Sequence, residues 1–179
     1  MSNTIEEFHH ILIITTGGTI EKTYDEFDGS LENKITELEK KILFRLRLPY
    51  MSYEVRAPLS KDSLLFNKND RETVLKVVQA AIGENRFNAI IVIHGTDTMD
   101  QTANFLRLGL SPGPKLPVIF TGAMKPMGFV DSDATQNVTE ALIASKFCQP
   151  GVFISFHGEV FSLPNVRKNK NKLTFEKIK

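Results

Sequence analysis

Residues Ala89 to Thr98 read AIIVIHGTDT: five apolar residues with no polar one among them, then a histidine, a glycine and a cluster of small polar groups. An apolar run of that length, rich in Ile and Val and not alternating with polar residues, is the pattern of a strand buried on both faces. The pattern recurs at Ile11 to Thr15, Val118 to Phe120 and Val152 to Phe156, next to the strings TTGGT, TGAM and HGEV. Between these runs lie helical signals. Asn69 with Glu72 three residues on is a capping-box pattern that predicts a helix over Asp70 to Ile82. Val74, Leu75, Val77 and Val78 form its apolar stripe, and Gly83 stops it. Thr98 to Leu108 and Ser132 to Phe147 read as two further helices, and Thr36 to Leu46 is helical by composition. Strand alternating with helix implies an α/β fold: three layers, a mostly parallel flavodoxin- or Rossmann-like sheet with helices on both faces. A fifth strand is expected in Tyr53 to Leu59, with Pro58 confining it to an edge or an end.

Two segments break the pattern. Glu21 to Asn33 is polar, has no hydrophobic period and is too long for an ordinary strand-to-helix connection, so it reads as a functional lid. The tail from Pro164 carries Arg167, Lys168, Lys170 and Lys172 among asparagines, the usual look of solvated charge. The bulk numbers fit one packed domain over residues 1–179, with 41% hydrophobic and 24% charged residues. A formal net charge of +1 gives no reason to expect nucleic-acid or membrane-surface binding. The single cysteine, Cys148, excludes an intrachain disulfide framework. Met1 to His10, with Glu6 and Glu7, lacks the basic-then-apolar order of a signal peptide. No apolar run approaches the roughly 20 residues of a membrane-crossing helix. The expectation is a cytoplasmic chain.

In open α/β sheets, ligands bind beyond the carboxyl ends of the strands. That rule gathers Thr15 to Thr19, His94 to Thr98 and Thr121 to Met124 on one rim, rich in threonine and without cysteine. His94 is either a base there or a histidine hydrogen-bonded within the rim. Gly17-Gly18 lacks both the spaced glycines of a dinucleotide fingerprint and the Gly-Lys-Ser/Thr of a phosphate loop, which leaves nucleotide binding a weak rival. Paired glycines otherwise bring backbone amides close to a ligand, where they can hold an oxyanion. Thr96 or Asp97 can cap the following helix; two hydroxyls and a carboxylate together can also do chemistry. A threonine hydroxyl needs a base to become a nucleophile. The candidates are Lys168, Tyr24 and, through a water, Asp97. The four histidines, two of them His9-His10, make no metal-ligand spacing, and neither metal nor cofactor is expected.

Five strings in order, TTGGTI (Thr15 to Ile20), DSL (Asp62 to Leu64), HGTDT (His94 to Thr98), TGAMKP (Thr121 to Pro126) and VRKNK (Val166 to Lys170), resemble those of bacterial L-asparaginases, in a short form holding the N-terminal domain alone. The resemblance implies that Thr19 and Thr96 are the catalytic threonines, with Thr96, Lys168 and Asp97 forming a proton relay. It implies that Ser63 holds the substrate carboxylate and that Tyr24 belongs to the flexible loop. The carbonyl of Ala123 would meet the leaving nitrogen, and the amides near Gly18 and Gly95 the oxyanion. Thr19 is the favoured nucleophile, because a carboxylate beside an ammonium favours its charged form and makes a lysine near Thr96 a worse base. Two departures are expected to matter. Leu64 stands where the family often has Gln or Ser, and a chain with the N-terminal domain alone would lack the second domain, whose glutamate grips the α-amino group; Asp62, Asp97 or Glu26 would stand in. The expected reaction is hydrolysis of L-asparagine to L-aspartate and ammonia through an acyl-enzyme. The alternatives are L-glutamine or another side-chain amide as substrate, or an amino-acid-binding module without turnover. A homodimer or dimer of dimers is expected to cover the lid.

Overall fold

The computed structural model describes residues 8–178; residues 1–7, where most of the leader reading falls, and residue 179 lie outside the described residues. The chain begins with β1 (His9–Thr15), then a small hairpin, β2 (Lys22–Tyr24) and β3 (Leu31–Asn33), and a single turn of helix, α1 (Leu38–Lys41). β4 (Met51–Arg56), α2 (Lys68–Gly83), β5 (Ala89–Ile93), α3 (Met99–Gly109), β6 (Pro117–Thr121), α4 (Ala134–Phe147) and β7 (Gly151–Phe156) follow. The chain closes with β8 (Glu159–Ser162) and a second hairpin, β9 (Val166–Asn169) and β10 (Thr174–Lys177).

The main sheet runs β4-β1-β5-β6-β7-β8, parallel throughout except that β8 returns antiparallel to β7. Counted in chain order, its first five strands lie 2-1-3-4-5, the flavodoxin arrangement, whose switch point falls between β1 and β5. Alternate residues of the buried strands enter opposite cores. Leu12, Ile14, Ile90, Val92, Val118 and Phe120 join Val74 and Val78 of α2 and Met99, Ala103 and Leu106 of α3. Ile11, Ile13, Ile91, Ile93 and Ile119 face Leu38 and Ile42 around α1 and Val138, Ala141 and Leu142 of α4. Each Val, Leu, Ile, Phe or Met side chain so removed from water contributes about 1.5–3 kcal/mol. Two apolar faces per strand are why the sequence shows unbroken runs instead of alternation.

The helices depart from expectation in detail. The capping box of α2 is Asn67 with Asp70, two residues earlier than the Asn69–Glu72 pair; the Asn67 side chain accepts from the amides of Asn69 and Asp70, and Asp70 accepts from Asn67 N–H. Thr36 to Leu46 forms only α1 and a short 3-10 turn at Leu43–Arg45. The fifth strand lies at the sheet edge but runs Met51–Arg56, so Pro58 falls beyond its end. The Glu21 to Asn33 segment is not structureless: its ends pair as the β2–β3 hairpin. Among the described residues no helix is long and apolar enough to cross a membrane.

Candidate active site

The switch point brings TTGGT, after β1, beside HGTDT, after β5. The two loops meet main chain to main chain: a Cβ on Gly18 would lie 2.3 Å from the Gly95 Cα. Gly18 also has φ +82°, which L side chains rarely adopt. A third loop locks onto them. Gly18 N–H donates to Lys61 O at 3.0 Å and Lys61 N–H donates to Thr16 O at 3.0 Å, so Asp62 and Ser63 arrive at the same rim. Ser63 is buried, and a Cβ on Gly95 would fall 2.4 Å from its Oγ. Thr98 Oγ1 donates to Ser63 O at 2.9 Å and ties this loop to the start of α3.

Lys168 comes from the far end of the chain. β9 alternates: Val166 is buried, so Lys168, two residues on, shares its inward face. Phe175, opposite Lys168 in β10, packs edge-on against Phe156 and fastens the hairpin to the core. The ammonium donates to Thr96 Oγ1 at 2.7 Å and to Asp97 Oδ1 at 2.9 Å. The two charged side chains are 14% and 25% exposed. The solvated-tail expectation therefore fails at this residue. Thr96 Oγ1 in turn points to Met124 Sδ at 3.7 Å, a weak acceptor that leaves the hydroxyl proton available.

Thr19 follows Gly18 into a short 3-10 turn, Thr19–Glu21, and is partly exposed. Tyr24, on the β2–β3 hairpin, is 58% exposed and makes no hydrogen bond to Thr19 or Thr96. Asp62 is paired with Lys22 of the same hairpin at 2.6 Å and accepts from Leu64 N–H. Burial pushes its carboxyl up, but Lys22 and that amide outweigh it and hold the group below its ordinary value. Because Gly18 N–H is donated to Lys61, that amide is not free for an oxyanion. His94 is wholly buried between Phe66 and Phe120. Its Nδ1–H donates to Gly95 O at 2.8 Å, and its Nε2 has no partner among the described residues. Burial lowers its pKa to about 4. Of the two readings of His94, the hydrogen-bonded rim residue fits.

The loop carrying Ala123 is held by residues the motif reading missed. Asp133 accepts from Met124 N–H through both oxygens at 3.0 Å and from Lys125 N–H at 3.1 Å. Asn137, one helical turn on, donates to Gly122 O and to Asp133. His157 Nε2 lies 2.8 Å from Asp133 Oδ2, and its Nδ1 lies 3.1 Å from Thr174 Oγ1. This network joins the Ala123 loop to the hairpin that supplies Lys168. Its signals were an Asp and an Asn at i,i+4 and a histidine at a strand's carboxyl end.

Comparisons with known proteins bear on the fold and the family. L-asparaginase from Thermococcus kodakarensis is 29% identical over 158 residues, which is 88% of this chain and 47% of that protein. Its solved structure superposes with a TM-score of 0.81 over 94% of this chain and 51% of that one, at 28% identity. A glutamyl-tRNA(Gln) amidotransferase subunit from Methanobrevibacter smithii is 26% identical over 153 residues, 84% of this chain and 34% of that protein. The chain thus spans about half or less of the length of these relatives. The family model described as "Asparaginase, N-terminal" matches residues 10–177, and the chain belongs to the asparaginase family.

Proposed function

We propose that the chain hydrolyses the side-chain amide of L-asparagine to L-aspartate and ammonia, with Thr19 as nucleophile. The observation that carries this reading is the hydrogen-bonded Thr96–Lys168–Asp97 group next to the Gly18–Gly95 contact. Thr19 Oγ attacks the amide carbon and the Gly95 N–H meets the developing oxyanion. The threonine proton passes to the departing nitrogen, the C–N bond breaks and ammonia leaves toward the Ala123 carbonyl. Water, deprotonated through Thr96, then cleaves the ester and restores the Thr19 hydroxyl. Ser63 receives the substrate carboxylate. Asp97 suits the α-ammonium better than Asp62, because Lys168 occupies only its Oδ1, whereas Asp62 is already tied to Lys22.

Ammonia release from asparagine, measured beside glutamine, tests the reading. No release from either amide refutes hydrolysis in favour of a binding module, and a faster rate on glutamine reassigns the substrate. The likeness to an amidotransferase component supports a second reading, in which the ammonia serves a partner chain. Release of free ammonia at full rate by this chain alone counts against it. Because Tyr24 and Thr19 face solvent, we also propose that a second copy covers the lid hairpin, as a homodimer or pair of dimers. Light scattering at micromolar concentration decides that, and a fully active monomer refutes it.

A further inference from the structure

Behind the Gly17-Gly18 turn lies a buried carboxyl to which the proposed reaction gives no part. Glu21 Oε2 accepts from Gly17 N–H at 2.8 Å, and Glu21 N–H donates to Gly18 O at 3.2 Å. One residue therefore grips both glycines of the turn that presents Thr19. Asn33 Nδ2, from the end of β3, holds Gly18 O as well, at 2.7 Å. The other carboxyl oxygen, Oε1, is buried and has no hydrogen-bond partner among the described residues; the same holds for the nearby Thr15 Oγ1. Both residues line a cavity of about 300 Å³, together with Thr36, Leu59, Ser60 and the stem of Lys34. Among the described residues, no cation inside it is free to balance a charge. Lys34 is bound to Asp25 at 2.6 Å, its carbonyl receives Ser60 Oγ, and Lys61 beyond is bound to Asp70 at 2.8 Å.

We propose that Glu21 is a positioning residue for the Thr19 loop and that it holds the turn as an uncharged carboxylic acid. The proposal rests on the asparaginase reading above only for its kinetic part. A neutral acid accepts from Gly17 N–H with Oε2 and carries its proton on Oε1, on the side where the Thr15 and Thr36 hydroxyls lie. Burial pushes the Glu21 carboxyl up, and the Thr36 hydroxyl, the Gly17 amide and the Thr15 hydroxyl pull it back only in part. Ionisation would leave a desolvated anion with no countercharge, and the turn would relax away from it to admit water. Loop geometry, and hence turnover, is thereby coupled to a proton outside the reacting groups.

Glu21→Gln and Glu21→Ala test this. Gln keeps an acceptor for Gly17 and a donor for the threonines but cannot ionise; Ala removes the grip. Glu21→Gln is expected to retain kcat and to lose the fall with rising pH expected of wild type. Glu21→Ala is expected to lower kcat by about tenfold or more, with a smaller change in KM, because a misplaced loop costs rate before binding. Superimposable pH profiles for wild type and Glu21→Gln overturn the proposal. Thermal midpoints against pH need no activity and keep the test separate from the asparaginase reading. A carboxyl raised on folding gives stability that is full below its unfolded value, about 4.3, and is lost as pH rises through the folded one. Wild type should therefore lose stability relative to Glu21→Gln across that interval. A difference that does not change with pH overturns the proposal even where no substrate is turned over, and absent ammonia release with the expected midpoints overturns the asparaginase reading alone.

Discussion

Replacing Lys168 by methionine keeps the stem that runs beside Val166 and removes only the ammonium. Two hydrogen bonds go with it, 2.7 Å to Thr96 and 2.9 Å to Asp97. A hydrogen bond to a charged group contributes about 1.5–3 kcal/mol. Here the freed Asp97 is one-quarter exposed and can be rehydrated, so the total cost to stability should be only about 1–2 kcal/mol. For a domain of this size that lowers the melting midpoint by roughly 2–8 °C. The effect on turnover should be far larger. Loss of a proton-transfer group typically costs about 10²–10⁴-fold, equivalent to roughly 3–5 kcal/mol in the barrier. A coupled ammonia assay at saturating asparagine, with a thermal melt of the same sample, separates the two effects. If kcat stays within about threefold of wild type while the midpoint falls as expected, Lys168 is a brace for the hairpin and the relay is wrong.

Three further outcomes are expected. Thr19→Ala should fold normally and lose at least about 10²-fold in kcat; retention of a tenth or more of wild-type turnover would transfer the nucleophile to Thr96. Gly18→Ala should destabilise by roughly 2–5 kcal/mol, since the new methyl meets the Gly95 backbone at 2.3 Å and the residue sits at φ +82°; an unchanged denaturant midpoint would show that the two loops can part. His94, neutral when folded, takes a proton near pH 6.5 in the unfolded chain and near 4 in the folded one. Its contribution is thus complete above about 6.5 and shrinks by roughly 3 kcal/mol as pH falls to about 4. His94→Leu should remove that share of acid sensitivity, and equal acid losses in both proteins would contradict the buried neutral ring.

The parallel sheet and both cores were legible because β1, β5, β6 and β7 are buried on two faces and so leave unbroken apolar runs. The expected helices of α2, α3 and α4 appear within two residues of their observed ends. What escaped was local and lightly apolar. β8 alternates with only Phe161 buried, and β9 has a single buried residue, Val166, so neither rises above a polar tail. The lid hairpin hid for the same reason. At the site, strings were legible and contacts were not: the pairing of Lys168 with Asp97, 71 positions apart, cannot be read from spacing. Asp133 and His157 lay outside the strings that carried the resemblance. Glu21 was taken only as the first residue of a loop, since nothing in a sequence tells a buried carboxyl from a wet one.

The contact between Gly18 and Gly95 also bears on how such a site can change. No side chain mediates it, so the placement of the Thr19 loop against the Thr96 loop is a property of main chain alone. Ordinary substitution offers no graded way to adjust that spacing: a methyl at Gly18 runs into the Gly95 backbone, and one at Gly95 runs into Ser63. What remains open to drift lies around it, in the lid hairpin, in Leu64 beside Ser63, and in whatever faces Asp97 Oδ2. On the proposed reading, substrate preference can therefore wander from one amide to another while this backbone contact stays fixed, and a search for altered specificity in this chain should leave the glycines alone and randomise the rim.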